Sequence, residues 1–146
     1  MKYAALDANV LGPGLMFKQG VSAEVVIAWI GNRFELILSE NLFGELNATL
    51  NKPYWRSRFS QLAIDQAIAL AAKESTFVDP TPGVENVATH WQDDVVIATA
   101  LAGNAEYLVT DDKELLRLKS YKTVSIVSPQ EFLELLEAEN EANPDD

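Results

Sequence analysis

Six acidic residues stand where solubility alone would not place them. Asp7 closes the apolar run KYAALD, and Glu45 sits at helical spacing among Leu42, Leu46 and Thr49. The doublets Asp93-Asp94 and Asp111-Asp112 flank the largely apolar segment VVIATALAGNAEYLVT. Carboxylates brought within a few ångströms repel one another, so at least one should hold its proton unusually well, and the set calls for a cation. Oxygen donors without His or Cys match Mg²⁺ or Mn²⁺, which bind a few carboxylates and leave positions for phosphate oxygens. The implied chemistry is phosphodiester hydrolysis, in which the metal activates a water and stabilises charge on the phosphate and leaving oxygen. No protein nucleophile is required.

Each acid also has a plainer explanation. Asp111 suits an N-cap, because Glu114 three residues on completes a capping-box spacing, and that role is preferred for it. One of Asp93 and Asp94 serves the helix dipole, worth roughly 0.3 to 1 kcal/mol. Asp7 is harder to dismiss, since Asp is depleted in strands and a buried strand end gives it no role without a partner. Asn9 and Thr110 are placed either to orient a carboxylate or water, or for ordinary turn and cap chemistry. His90 reads as a surface or half-packed side chain rather than a base, and Trp29 with Val25, Val26 and Ile30 as core or interface. Lys52, Arg56 and Arg58, interleaved with Tyr54, Trp55 and Phe59, are candidates for holding phosphates and stacking bases. A partner-protein groove or a solvated loop explains that patch equally well.

Positioning such acids falls to alternating elements. KYAALD, FELILS, TFVD, AEYLV and TVSIV read as five strands, PGLMFKQGVS as a loop and NKPYWRSRFS as a loop or short turn. Helices are expected over AEVVIAWIGN from a Ser22 cap, ENLFGELNATL from a Ser39 cap, and QLAIDQAIALAAKES. Others are expected over DDVVIATALAG behind a Thr89–Gln92 capping box, over KELLRL, and over QEFLELLEA behind Ser128, Pro129 and Glu131. Continuously apolar strands alternating with helices imply an α/β fold with a parallel sheet covered on both faces. In such a sheet the strand C-termini and the N-termini of the following helices share one edge, which gathers Asp7, Glu45, the Asp93 doublet and the Asp111 doublet.

With 146 residues, 48% of them hydrophobic, one domain is expected, over residues 1–138, followed by a frayed acidic tail over 139–146. No apolar run approaches the roughly 18 residues of a membrane span, so a cytoplasmic protein without a membrane partner is expected. The absence of cysteine and the single histidine exclude disulfides, thiolate sites, cysteine nucleophiles and multi-histidine zinc. A net charge of −11 argues against a surface that grips nucleic acid by broad phosphate neutralisation, without excluding a nucleic-acid substrate.

LDANVL, SENLFGEL, DDVVIATALAGNAEYLVTDDKELL and IVSPQEFLELL together resemble the PIN-domain ribonucleases, which include VapC-type toxins of bacterial toxin–antitoxin pairs. The resemblance implies a three-layer α/β/α sandwich with a central, mainly parallel five-stranded sheet, and a Mg²⁺- or Mn²⁺-dependent endoribonuclease acting on RNA. It also implies an antitoxin protein and a homodimer as partners. By position, the family's acid quartet falls on Asp7, Glu45, Asp93 and Asp112, with Asn9 and Thr110 in support. Ala8 stands where many relatives carry Ser or Thr, Asp111 replaces a common glycine, and Thr89-His90 a frequent Arg-Asp pair. A catalytically silent interaction module is the alternative. A phospho-receiver domain fits less well, since LDAN lacks an acid pair after the first strand.

Overall fold

The computed structural model describes residues 2–142. Its sheet has six strands, β1 (Lys2–Leu6), β2 (Phe34–Leu38), β3 (Thr76–Phe77), β4 (Tyr107–Val109), β5 (Ser120–Tyr121) and β6 (Val124–Val127), in the order β3-β2-β1-β4-β6-β5. All neighbours pair in parallel except β5 with β6. The chain builds outward from β1 to β2 and β3, then crosses back and builds the other way from β4. The order therefore reverses between β1 and β4, which pair directly through Leu6 and Val109. Open α/β sheets place their ligand crevice at the strand C-termini at such a reversal.

The strand beyond the expected five is β5, a short hairpin arm turned back onto β6 at Lys122, whose φ is 52°. Local hydrophobic pattern gives no sign of it, because both its residues lie at a sheet margin. The central strands are apolar because both faces are covered: Ala4, Ala5, Leu6, Leu36, Ile37, Leu38, Leu108 and Val109 are buried. Helix α6 (Trp91–Ala102) lies across β1, β2 and β4, while α2 (Val21–Ile30) packs on α8 (Pro129–Ala142). From α8, Phe132 meets Phe34 at 4.9 Å and Tyr107 at 5.7 Å between ring centroids. These layers make the expected α/β/α sandwich.

The segment expected as a loop from Pro13 begins inside a helix, α1 (Ala8–Met16), which carries Pro13 and two glycines. Such a sequence would not hold a helix in water, but Ala8, Val10, Leu11, Gly12, Gly14 and Met16 are buried, and packing outweighs propensity. Gly14 is obligatory: a Cβ there would lie 2.5 Å from the Ser22 carbonyl oxygen and from a Val26 methyl. The cap of α2 is Gly20, with φ 112°, rather than Ser22. Ser39 caps α3 (Glu40–Leu50) as expected, accepting from Leu42 N. The NKPYWRSRFS segment, read as loop or short turn, holds a one-turn helix, α4 (Pro53–Arg56), ahead of α5 (Gln61–Glu74). The capping box of α8 is reciprocal, Ser128 with Glu131. That helix runs on to Ala142, so residues 139–142 are helical where fraying was expected, and 143–146 lie outside the described residues. Among the described residues no helix is long and apolar enough to cross a membrane.

Candidate functional site

Asp7 terminates β1 and is 6% exposed. Thr110, fully buried at the end of β4, donates its hydroxyl to Asp7 Oδ2 at 2.9 Å and accepts from Asp112 N at 3.0 Å. One hydroxyl thus ties the acid after β1 to the acid after β4 across the sheet reversal. The Asp7 carboxyl is held above its ordinary range, first by burial and also by Asp112. The Thr110 hydroxyl and the amides of Asn9 and Ala8 pull the other way, although neither amide makes a well-formed cap bond. Asn9 itself is exposed at the start of α1.

The remaining acids come from helix starts. Asp112, not Asp111, is the N-cap of α7 (Lys113–Leu118): its Oδ1 accepts from Glu114 N at 2.8 Å and Leu115 N at 3.2 Å. Asp111 is exposed and takes no part in the cap. The Glu114 spacing that favoured Asp111 fits a cap one residue later as well, because an N-cap oxygen serves the second or third amide. All the cap bonds of Asp112 fall on Oδ1; among the described residues no hydrogen bond falls on Oδ2. Asp112 therefore starts the helix with one oxygen and leaves the other outside the cap.

In the other doublet the two residues divide. Asp94 is buried and its carboxylate accepts from Asn86 N, Val87 N and Ala88 N at 3.0, 3.1 and 2.7 Å. It clamps the loop before α6, a role beyond the helix dipole and one that no local motif signals. Asp93 instead senses the other acids: its carboxyl is raised by partial burial, then by Asp112 and Asp7, with His90 opposing and Asp94 adding to the rise. The N-cap residue of α6 is His90, without a side-chain cap bond, in place of the expected Thr89.

Glu45 completes the set from the second turn of α3. Its carboxyl is raised by desolvation, by Asp7 and by Asp93, and lowered by Lys52. The residue is exposed, so the repulsion from Asp7 and Asp93 is the firmer of these causes. Thr99, in the third turn of α6, donates to Ser39 Oγ at 2.9 Å and so joins that helix to the start of α3. A buried Thr in an apolar helix was the available signal for this link.

From separate segments, Asp112 acts on Asp7 and Asp93, and Asp7 and Asp93 act on Glu45. Among the described residues no three acidic or imidazole side chains are drawn together tightly enough to hold a metal ion as they stand. Mutual repulsion favours such spacing until a cation offsets it. The donor chemistry, all hard oxygen, fits a divalent ion that keeps part of its water shell.

The basic patch divides too. Lys52 is exposed and acts on Glu45. Arg58 is engaged within its own turn, donating to Tyr54 O at 2.9 Å with its guanidinium 3.8 Å from the Tyr54 ring centroid. Trp55 is buried against Phe17 and Phe59 and offers no face to a base; Arg56 is exposed.

No curated protein matches the chain. The fold is similar to that in the crystal structure of PAE2754 from Pyrobaculum aerophilum, with TM-score 0.64 and 18% identity over 94% of this chain and 90% of that one. It is similar to VapBC2 from Rickettsia felis bound to a DNA fragment from its promoter, with TM-score 0.59 and 12% identity over 86% and 98% of the two chains. VapBC-1 from nontypeable Haemophilus influenzae gives 0.57 and 18% over 88% and 98%. The family model for the PIN domain matches residues 3–114, from the start of β1 to the first turn of α7, a span that contains all the acids of the crevice. By that match the chain belongs to the PIN-domain family.

Proposed function

We propose that the chain is a Mg²⁺- or Mn²⁺-dependent endoribonuclease, the toxin of a toxin–antitoxin pair. The observation that carries the reading is the electrostatic coupling of Asp7, Glu45 and Asp93, with Asp112 among the causes, at the sheet reversal. Asp7 and Asp112, joined through Thr110, form the fixed half of the metal site. Asp93 and Glu45, more open to solvent, form the half that meets the entering strand. A bound divalent ion supplies positive charge that neutralises phosphate and eases deprotonation of the attacking water. Thr110 spends its only proton on Asp7, which keeps that carboxylate oriented, and Asn9 stands at the rim as a polar support. Lys52, beside Glu45, offers a cation to the phosphate of the strand, with Arg56 beyond it; Arg58 contributes mainly to its own turn. Similarity to the VapBC structures supports an antitoxin protein as partner, and the family resemblance a homodimer and a cytoplasmic setting.

The test is incubation of a mixed RNA pool with Mg²⁺, with Mn²⁺ and with chelator, beside Asp7→Asn. Metal-dependent cleavage by the wild type, lost in Asp7→Asn, is expected. A wild type that cleaves nothing with either metal, yet binds a protein partner tightly, would make the chain a silent interaction module.

A further inference from the structure

Trp91 is the most exposed of the large hydrophobic side chains, at 69%, whereas Trp29 and Trp55 are buried at 5% and 7%. It opens α6 two residues before Asp93 and lines a hollow of about 110 Å³ with Asn41, Leu42, Glu45, Gln92 and Val95. The hollow shares Glu45 with the carboxylate crevice. Leu42 and Val95 give it an apolar floor, while Asn41 and Gln92 bring primary amides that both donate and accept. The backbone that carries it is held: His90 O accepts from Asp93 N at 3.0 Å, and Asp94 accepts from the amides of Asn86, Val87 and Ala88.

We infer that Trp91, Asn41 and Gln92 form a subsite for one unpaired base of an RNA strand, the indole stacking on the base and the amides meeting its edge; this rests on the nuclease reading above. Stacking on an aromatic face with hydrogen bonds to the exposed edge is how proteins take single-stranded RNA, and a duplex cannot present a base in that way. An apolar protein side chain would fill the hollow but leave both amides unused. The subsite selects unpaired RNA and sets where the strand lies relative to the acids.

With Trp29 and Trp55 buried, quenching of solvent-exposed tryptophan emission reports on Trp91. An unpaired oligoribonucleotide, titrated before Mn²⁺ is added, should quench the wild type, and the same sequence in a duplex should not. With Mn²⁺, Trp91→Ala should raise KM for unpaired RNA by about 5- to 150-fold with little change in kcat, and Trp91→Phe should restore most of the affinity. Unchanged emission, or Trp91→Ala with the wild-type KM, would overturn the subsite while leaving cleavage by the wild type intact. If the wild type cleaves no RNA, the nuclease reading fails separately, and quenching by unpaired but not duplex RNA then decides the subsite by itself.

Discussion

Asp112 caps α7 through Oδ1, the proposed site gives it a second duty, and substitutions can separate the two. Asn caps helices about as well as Asp, so Asp112→Asn should abolish RNA cleavage while leaving the melting temperature of the metal-free protein unchanged or raised. Asp112→Ala should lose cleavage and also about 1 kcal/mol of stability, and Asp111→Asn should leave both near wild type. Paired cleavage assays and denaturant titrations check this; equal loss of activity in Asp111→Asn and Asp112→Asn would contradict the assignment. Residue types and spacing made Asp7 and Thr110 legible, because an acid ending a buried strand and a hydroxyl ending its neighbour need one another. The cap was misplaced by one residue because Glu114 is compatible with either start. The work of Asp94 was out of reach: its three amide partners lie in a loop without a pattern, and only the fold brings them to the carboxylate.

The loop before α6 and the start of that helix form one unit through Asp94. Three charge-assisted hydrogen bonds from backbone amides make Asp94→Ala costly, about 3 kcal/mol, and should speed hydrogen exchange at Asn86, Val87 and Ala88. Asp93→Asn, one residue away, should instead stabilise the metal-free protein by removing a repelled charge; exchange and melting measured on both variants would show opposite signs. Loss of stability in both would mean that Asp93 lies outside the repelling set. At this scale the strands and the long helices were readable from apolar runs and caps, as Ser39 and the Ser128–Glu131 box show. Helix α1 was not, because Pro13 and two glycines argue locally for a loop while burial, a property of the assembled molecule, decides for a helix. Packing also allows Gly14 no side chain, a constraint visible only once α1 and α2 are side by side.

Across the molecule, the sheet reversal lies in a chain of net charge −11, and in the proposed site protons and metal ions would compete for the same acids. Asp7, Glu45 and Asp93 all hold their protons above the ordinary carboxylate range in the fold. Groups raised in this way contribute stability that is full below their unfolded pKa, near 4, and is lost as pH rises through the folded values. With chelator, the melting temperature should therefore rise on mild acidification from neutral pH, and Asp7→Asn should blunt the rise. Metal affinity and cleavage should run the other way, increasing with pH through the same range. The sequence made the common edge legible through the alternation of strands and helices; which acids couple across it depends on side-chain directions that topology alone does not give. The most direct measurement is the melting temperature of the wild type and Asp7→Asn at neutral pH, with and without Mn²⁺. The order should invert: Asp7→Asn the more stable with chelator, the wild type the more stable with Mn²⁺. A wild type that melts at the same temperature with and without Mn²⁺, and above Asp7→Asn in both, would contradict a metal site at these acids.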